Sequence, residues 1–213
     1  MSFLPDLPTL LAFAAASIFL AITPGPDMTL FISRALSDGR RAGFACVLGA
    51  MSGIVVHTTL VALGLSALIV ASPTAFLVLK VLGAGYLLYL AYQAIRGGSS
   101  LAVKRGVAMK RSFYADWAMG LGVNLLNPKI ALFFMTFLPQ FVSAGDPNVA
   151  ARLFFLGFLF VVISLPIVIA IIWAADGLSA WLQRNTKVMR LVDYGFAGVF
   201  SAFAVRILLA QGR

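Results

Sequence analysis

The sequence has very few of the residues that water-soluble proteins need. Only 11% of its 213 residues are charged, and its seven acidic residues are all aspartate, because the chain contains no glutamate. Soluble domains carry about a quarter charged residues. With 62% hydrophobic residues, the composition therefore excludes an ordinary water-soluble fold and indicates a protein whose surface faces lipid.

Cysteine and histidine each occur once, as Cys46 and His57. A single cysteine excludes an intramolecular disulfide and a CxxC redox pair. Too few Cys, His and acidic residues remain to build a transition-metal site, so neither a metal nor a cofactor is predicted. No clustered set of His, Asp or Ser indicates an active site, and the chain is not expected to be an enzyme.

Positive charge is in excess, with a formal net charge of +9 at pH 7. The basic residues do not alternate with aromatic residues on a polar surface, so nucleic-acid binding is not predicted. Lysine and arginine in short loops instead orient a membrane protein. Eleven of them, Arg34 included, fall in three loops on one predicted side, against three on the other. This bias predicts a multi-pass inner-membrane protein with both termini outside the cytoplasm.

Long apolar runs predict the fold class, an all-α polytopic membrane protein. A spanning helix needs about 20 apolar residues. The charge-free run of 38 residues at 42–79 is too long for one span and divides at Pro73. Pro166 is expected to interrupt the fifth helix, and a short surface helix is expected around Trp181. The predicted spans are about 7–36, 42–70, 75–95, 113–138, 153–175 and 191–209.

Two of these spans contain a similar motif. Residues 26–31 and 128–133 share the pattern proline, charge, two variable positions, leucine and phenylalanine. Three spans in each half would turn the second half upside down, which is the inverted-repeat plan of secondary transporters. A single transmembrane domain over 1–213 is predicted, with repeat one at about 7–96, a basic loop at about 97–112 and repeat two at about 113–209.

The first motif is predicted to break helix 1. Pro24 and Pro26 each lack a backbone donor, and Gly25 between them adds conformational freedom. Pro26 suits the first position of a new half-helix. The N–H groups at such a break need protein, water or a ligand inside the membrane. Two interpretations are open, a kink satisfied by neighbouring helices and a break that lines a substrate path.

Asp27 follows this break and also has two interpretations. An aspartate in the first turn of a helix interacts favourably with the helix dipole, which could be its whole role. A buried acid in a membrane segment could instead receive a proton or a substrate amine.

The second motif is predicted to break helix 4. Asn127 suits a helix N-cap and Pro128 suits the first helical position. Lys129 opposes the helix dipole, and a charge in an apolar segment usually faces a partner or a wet cavity. Asp27 is its expected partner, and Asn124 lies one turn earlier. The predicted substrate- and ion-binding residues are Pro24, Gly25, Pro26, Asp27, Asn124, Asn127, Pro128 and Lys129.

Other polar or small residues in the spans are predicted to have structural roles. His57 is expected to be a hydrogen-bonded packing residue, and Lys80 is expected to reach the interface from the outer end of helix 3. Three glycines of helix 2 are expected to permit close helix approach: Gly43, Gly49 and Gly53.

Several stretches of the chain carry a family resemblance. They are Thr23-Pro24-Gly25-Pro26-Asp27; Lys80-Val81-Leu82-Gly83-Ala84-Gly85-Tyr86-Leu87 with Tyr89-Leu90-Ala91; and Asn124-Leu125-Leu126-Asn127-Pro128-Lys129 followed by Phe137-Leu138-Pro139-Gln140-Phe141. In this order and spacing, together with the glycine-rich start of helix 2, they resemble the LysE/RhtB family of amino-acid exporters. The resemblance implies a six-helix inner-membrane carrier that exports amino acids or their derivatives, using the proton gradient.

Together with the broken helices, this resemblance implies a secondary transporter for amino acids or close derivatives, such as threonine, homoserine or lysine, working by proton antiport. The two half-helix N-termini and Lys129 are expected to bind a substrate carboxylate, while Asp27 and freed carbonyls at Thr23 and Leu125 meet the amine. The alternative is an exporter or channel for another small polar metabolite, although a pore needs a more continuous polar lining. The expected partners are the amino acid, a proton, membrane lipid and a possible second copy.

Overall fold

The computed structural model describes residues 4–97, 111–143, 146–175, 177, 181 and 185–210, and this part of the chain is helical with no strand. Its long elements are α1 Leu7–Ile22, α2 Pro26–Asp38, α3 Arg40–Ala71, α4 Pro73–Gly97, α5 Phe113–Leu126, α6 Pro128–Phe137, α7 Val149–Trp173 and α8 Thr186–Ala210. A 3-10 turn, Leu138–Phe141, continues α6. Most of the predicted basic loop, and most of the surface helix predicted around Trp181, lie outside the described residues.

Two pairs of short helices form bent spans. The pair α1 and α2 bends by 51°, and α5 bends by 56° against α6 with its 3-10 turn. Among the described residues four further helices, α3, α4, α7 and α8, are long and apolar enough to cross a membrane, which gives six spans when each bent pair counts as one. The order of one bent span and two straight spans thus occurs twice. The predicted all-α fold with broken helices 1 and 4 is confirmed.

Proline and glycine produce the first break as predicted. Helix α1 ends where the Thr23 N–H donates to the Phe19 carbonyl at 3.0 Å. Pro24 and Pro26 cannot donate, so the helical ladder cannot continue through them. Helix α2 then starts with Pro26 in its first turn, after Gly25 in an extended conformation.

Three features predicted for the fifth and sixth spans are wrong. Pro166 does not interrupt α7, which is continuous over Val149–Trp173. A proline removes one ladder bond, and neighbouring helices in a membrane bundle can compensate for it. Helices α7 and α8 also begin four or five residues earlier than predicted, at Val149 and Thr186.

Arg34 does not lie in a loop. It is part of α2, is 9% exposed and contacts Asp116 on α5. A buried, paired arginine is not one of the exposed loop charges that orient a membrane protein. Removing it leaves ten lysines and arginines on the predicted inner side against three on the other.

Glycines bring α3 and α5 into close contact. A Cβ atom on Gly49 would lie 1.9 Å from the Trp117 carbonyl oxygen, and one on Gly120 would lie 2.0 Å from the Cys46 carbonyl oxygen. On Gly53 a Cβ would lie 2.4 Å from Asn124 Oδ1. The role predicted for the three glycines of the second span, which is α3, is confirmed. It holds for Gly43 too, since a Cβ there would lie 2.9 Å from that of Ala35.

A group of phenylalanines packs between α1, α6 and α8, at the end of the bundle where α1 begins. We name this the Leu7 end, and the opposite end, where α2 meets α3, the Gly39 end. Ring centroids lie 4.6 Å apart for Phe133 and Phe137 and 4.9 Å apart for Phe137 and Phe203. We call the group the aromatic cluster: Phe13, Phe133, Phe137, Phe141, Phe200 and Phe203. It leaves the Leu7 end tightly packed.

Two glycines of α5 offer a matched test of this packing. Gly120→Ala should lower the free energy of unfolding in detergent by about 1–3 kcal/mol, because the new methyl group overlaps the Cys46 backbone. Gly122 has no such neighbour within 4 Å, so Gly122→Ala should leave stability unchanged or raise it by up to about 1 kcal/mol. Equal effects of the two substitutions would contradict the close α3–α5 contact.

Candidate functional site

The two helix breaks lie against each other in the middle of the bundle. The ammonium of Lys129, in the first turn of α6, donates a hydrogen bond to the Thr23 carbonyl at the end of α1, at 3.2 Å. A Cβ atom on Gly25 would lie 3.9 Å from Lys129 Nζ, so the two break segments are in van der Waals range. The predicted approach of the two breaks is therefore present.

A second polar contact joins the half-helices α2 and α5. The Asn124 side-chain amide donates to Asp27 Oδ2 at 2.9 Å. Asn124 is 2% exposed, and the missing side chain of Gly53 makes the space it occupies. The His57 ring nitrogen lies 3.4 Å from the Asn124 carbonyl oxygen. His57 is thus a hydrogen-bonded packing residue, as predicted, and it supports a residue of the site.

The two new helix starts are not equivalent. The Asn127 side chain accepts a hydrogen bond from the Lys129 N–H at 3.0 Å and so caps α6. At the start of α2, Gly25 has no side chain to provide such a cap. The first N–H groups of a helix need a partner from outside the helix. The start of α2 is therefore better placed than the start of α6 to receive an anionic group.

Lys129 does not pair directly with Asp27. Its ammonium bonds the Thr23 carbonyl and lies 5.3 Å from the centre of the Phe196 ring. The charges of Asp27 and of Asp193, which is 2% exposed on α8, both act on the ammonium. The predicted ion pair is absent from the described residues because Asn124 occupies one Asp27 oxygen and Lys129 extends to the α1 break.

A cavity of about 60 Å³ lies between the breaks, and five of the eight predicted site residues line it: Gly25, Asp27, Asn124, Asn127 and Lys129. The three prolines, Pro24, Pro26 and Pro128, shape the breaks without lining the cavity. Helices α3 and α7 add a mostly apolar wall that includes Met51, Ile54, Phe160, Ser164 and Val168. The cavity has room for a few water molecules.

Two acceptor atoms beside this cavity have no hydrogen-bond partner in the described part of the chain, Asp27 Oδ1 and Asn124 Oδ1. Buried oxygens without a donor are costly, so a ligand that donates hydrogen bonds is favoured there. The Lys129 ammonium lies close by as a donor for an acceptor group. The cavity thus combines acceptors on one side with a cation on the other, which complements a small zwitterion.

Sequence reasoning missed two residues near Lys129, both on α8. Asp193 carried a signal, since it is the one acidic residue in the mostly apolar predicted span 191–209. Phe196 carried none, because phenylalanine is common throughout the chain. Lys80 lies away from the site, as expected, and its ammonium donates to the Val142 carbonyl at 3.4 Å.

The asparagine cap of α6 can be tested against a second asparagine. Asn127→Ala should lower the free energy of unfolding by about 1 kcal/mol, because the Lys129 N–H loses its acceptor. Asn148 precedes α7 without forming a side-chain cap, so Asn148→Ala should change stability by less than about 0.5 kcal/mol. Chemical unfolding of the purified protein in detergent measures both. An Asn127→Ala variant as stable as the parent would refute the cap.

Comparison with known proteins places this geometry in a family. The profile described as LysE type translocator matches residues 18–211. A homoserine/homoserine lactone efflux protein from Salmonella typhimurium is 29% identical over 209 residues, which cover 95% of this chain and 96% of that protein. The protein of the same name from Salmonella typhi is also 29% identical over 209 residues, with the same two shares covered. YrhP, an uncharacterized membrane protein of Bacillus subtilis, is 28% identical over 191 residues, covering 86% of this chain and 90% of YrhP.

No solved structure matches the chain. The family resemblance predicted from the motifs is confirmed, since the family profile covers most of the sequence. This multi-pass membrane protein, whose described residues form four apolar spans or six when each bent pair counts as one, belongs to the LysE type translocator family.

Proposed function

We propose that the protein exports an amino acid or a close derivative across the bacterial inner membrane and that the cavity between the two helix breaks binds it. The observation that carries the proposal is the pair of unpartnered acceptors, Asp27 Oδ1 and Asn124 Oδ1, beside the Lys129 ammonium. The family match and the efflux proteins among the relatives support amino-acid-type export.

In this proposal each end of the substrate contacts groups from both repeats. The amine donates to Asp27 and Asn124, and the carboxylate accepts from Lys129 and from the uncapped start of α2. Hydrogen bonds between charged groups are stronger than neutral ones. Lys129 exchanges its bond to the Thr23 carbonyl for the carboxylate, so its charge stays paired with an acceptor throughout.

Transport requires the bundle to open first at one end and then at the other. The cavity has room for a few water molecules, so in this proposal the site widens to admit a whole amino acid. The aromatic cluster closes the Leu7 end. Rocking of one repeat against the other would expose the site alternately to the two sides, as in other inverted-repeat carriers.

We further propose that Asp27 couples export to the proton gradient. An aspartate that accepts the substrate amine can instead hold a proton, so the two compete for one carboxylate. Protonation from the outer side would release the amine there, and the proton would leave on the inner side as the next substrate binds. The competition moves substrate outward and protons inward.

For the orientation we propose that the Leu7 end faces outward, with both termini outside the cytoplasm. Ten lysines and arginines assigned to the other side support it. A periplasmic phosphatase reporter fused to the C-terminus should then be active in cells. An inactive fusion of a well-expressed protein would reverse the orientation.

Homoserine and its lactone provide a test of the Lys129 role, because the lactone keeps the amine and lacks the carboxylate. Lys129→Met should reduce homoserine export from loaded vesicles by at least about tenfold, the effect of losing one charged hydrogen bond. Export of the lactone should fall less than about threefold by the same reasoning. Lys80→Met, which removes a cation far from the cavity, is the control and should change neither rate. Equal losses for both substrates in Lys129→Met would refute a carboxylate contact.

The role of Asp27 is tested by separating exchange from gradient-driven export. Asp27→Asn keeps a hydrogen-bonding group of similar size but cannot carry a proton. It should abolish the stimulation of export by an inward proton gradient, while substrate–substrate exchange persists at a reduced rate. Gradient-driven export that survives in Asp27→Asn would show that another group couples transport to protons.

A further inference from the structure

A buried ion pair connects α2 and α5 on the Gly39 side of the cavity. Arg34 Nε donates to Asp116 Oδ1 at 3.0 Å, and Arg34 Nη2 lies 2.8 Å from the same oxygen. The Arg34 and Asp116 side chains are only 11% and 3% exposed. Removing one member of a buried pair leaves an uncompensated charge, so such a pair holds its two elements together strongly.

This pair is aligned with the site. Arg34 lies seven residues after Asp27 on α2, and Asp116 lies eight residues before Asn124 on α5. Both separations are close to two helical turns, so each pair of residues lies on one helix face. The two half-helices are therefore joined at two levels, by Asn124 and Asp27 at the cavity and by Arg34 and Asp116 further towards the Gly39 end.

We propose that the Arg34–Asp116 pair is the gate of the Gly39 end and that it positions the half-helices that carry Asp27 and Asn124. The proposal rests on the proposed transport function. Closing the gate brings Asn124 within hydrogen-bond distance of Asp27. Opening it separates α2 from α5 and exposes the cavity on that side, while the aromatic cluster keeps the Leu7 end closed.

Each partner keeps a compensating interaction on its own half-helix, which makes the pair separable. Arg34 Nη1 lies 2.5 Å from Asp38 Oδ2, one turn further along α2. Asp116 lies in the first turn of α5, where the helix dipole favours a negative charge. Opening the gate therefore leaves neither charge alone in a medium of low polarity, unlike the rupture of an isolated buried pair.

The single cysteine is a natural reporter for this movement. Cys46 is fully buried on α3, in a cluster with Phe31, Ile32 and Ala35 of α2. Its backbone is also in contact with α5 at Gly120. Both half-helices thus cover it. A thiol reacts as its thiolate and needs access to water and reagent, so separation of α2 from α5 should raise its reactivity.

The experiment measures the rate at which N-ethylmaleimide modifies Cys46 in the full chain reconstituted in lipid vesicles. Asp116→Asn removes the interhelical pair and leaves Arg34 paired with Asp38. It should raise the modification rate by at least about tenfold, because the closed state loses a buried charge pair. Asp38→Asn, the matched control, removes only the contact within α2 and should change the rate less than about twofold, since Arg34 keeps Asp116.

A charge exchange separates gating from a general loss of structure. The exchange of Arg34→Asp with Asp116→Arg, made together with Asp38→Asn so that no second carboxylate faces the new aspartate, restores an ion pair and should return the Cys46 modification rate to within about threefold of the parent. The proposal is overturned if Asp116→Asn reacts at the parent rate, if Asp38→Asn matches it, or if the exchange gives no rescue. These rates need no transported substrate, so the gate can be confirmed or rejected even if amino-acid export fails.

Discussion

The hydrogen bond from Asn124 to Asp27 connects two interrupted helices at a depth where lipid provides no hydrogen-bonding partner. An interrupted helix exposes backbone groups that a membrane cannot solvate, so each break must be satisfied by protein. Here Lys129 of the second break donates to the Thr23 carbonyl of the first break. Asn127 caps α6 from within the second break itself. The glycine contacts between α3 and α5 follow from the same constraint, because Asn124 reaches Asp27 only where Gly53 leaves room for it.

Some polar groups at the two breaks have no hydrogen-bond partner within the described ranges, and these groups lie beside the cavity. One oxygen of Asp27 and one of Asn124 remain without a donor among the described residues, and the start of α2 has no side-chain cap. If every polar group at the breaks had a partner within the protein, the contact between the breaks would have only a structural role. In the proposed function, a bound molecule supplies the partners of the acceptors and donors left open around the cavity.

Local chemistry determined most of what could be predicted. Proline lacks a donor wherever it occurs, so the breaks at Pro26 and Pro128 were readable from the sequence, as were the residues beside them. Pro166 shows the limit of this rule, because packing against neighbouring helices decides whether a proline ends a membrane helix. The partner of Lys129 could not be predicted either. Whether Asp27 or the Thr23 carbonyl accepts the hydrogen bond of the Lys129 ammonium depends on distances between helices that no local pattern encodes. Asp193 also acts on this ammonium from a helix remote in sequence.

The two repeats share a backbone plan but differ in the charge that follows each break, aspartate in the first and lysine in the second. In the proposed function this difference gives the substrate a fixed orientation, with its amine at Asp27 and its carboxylate at Lys129. A zwitterion then bridges the two bodies that move against each other. A molecule that lacks the carboxylate keeps the contacts of its amine with Asp27 and Asn124 and loses only those made with Lys129 and the start of α2. The charge difference between the repeats therefore provides the energetic link between recognising the substrate and closing around it, since a ligand shifts a conformational equilibrium only through contacts that differ between the states.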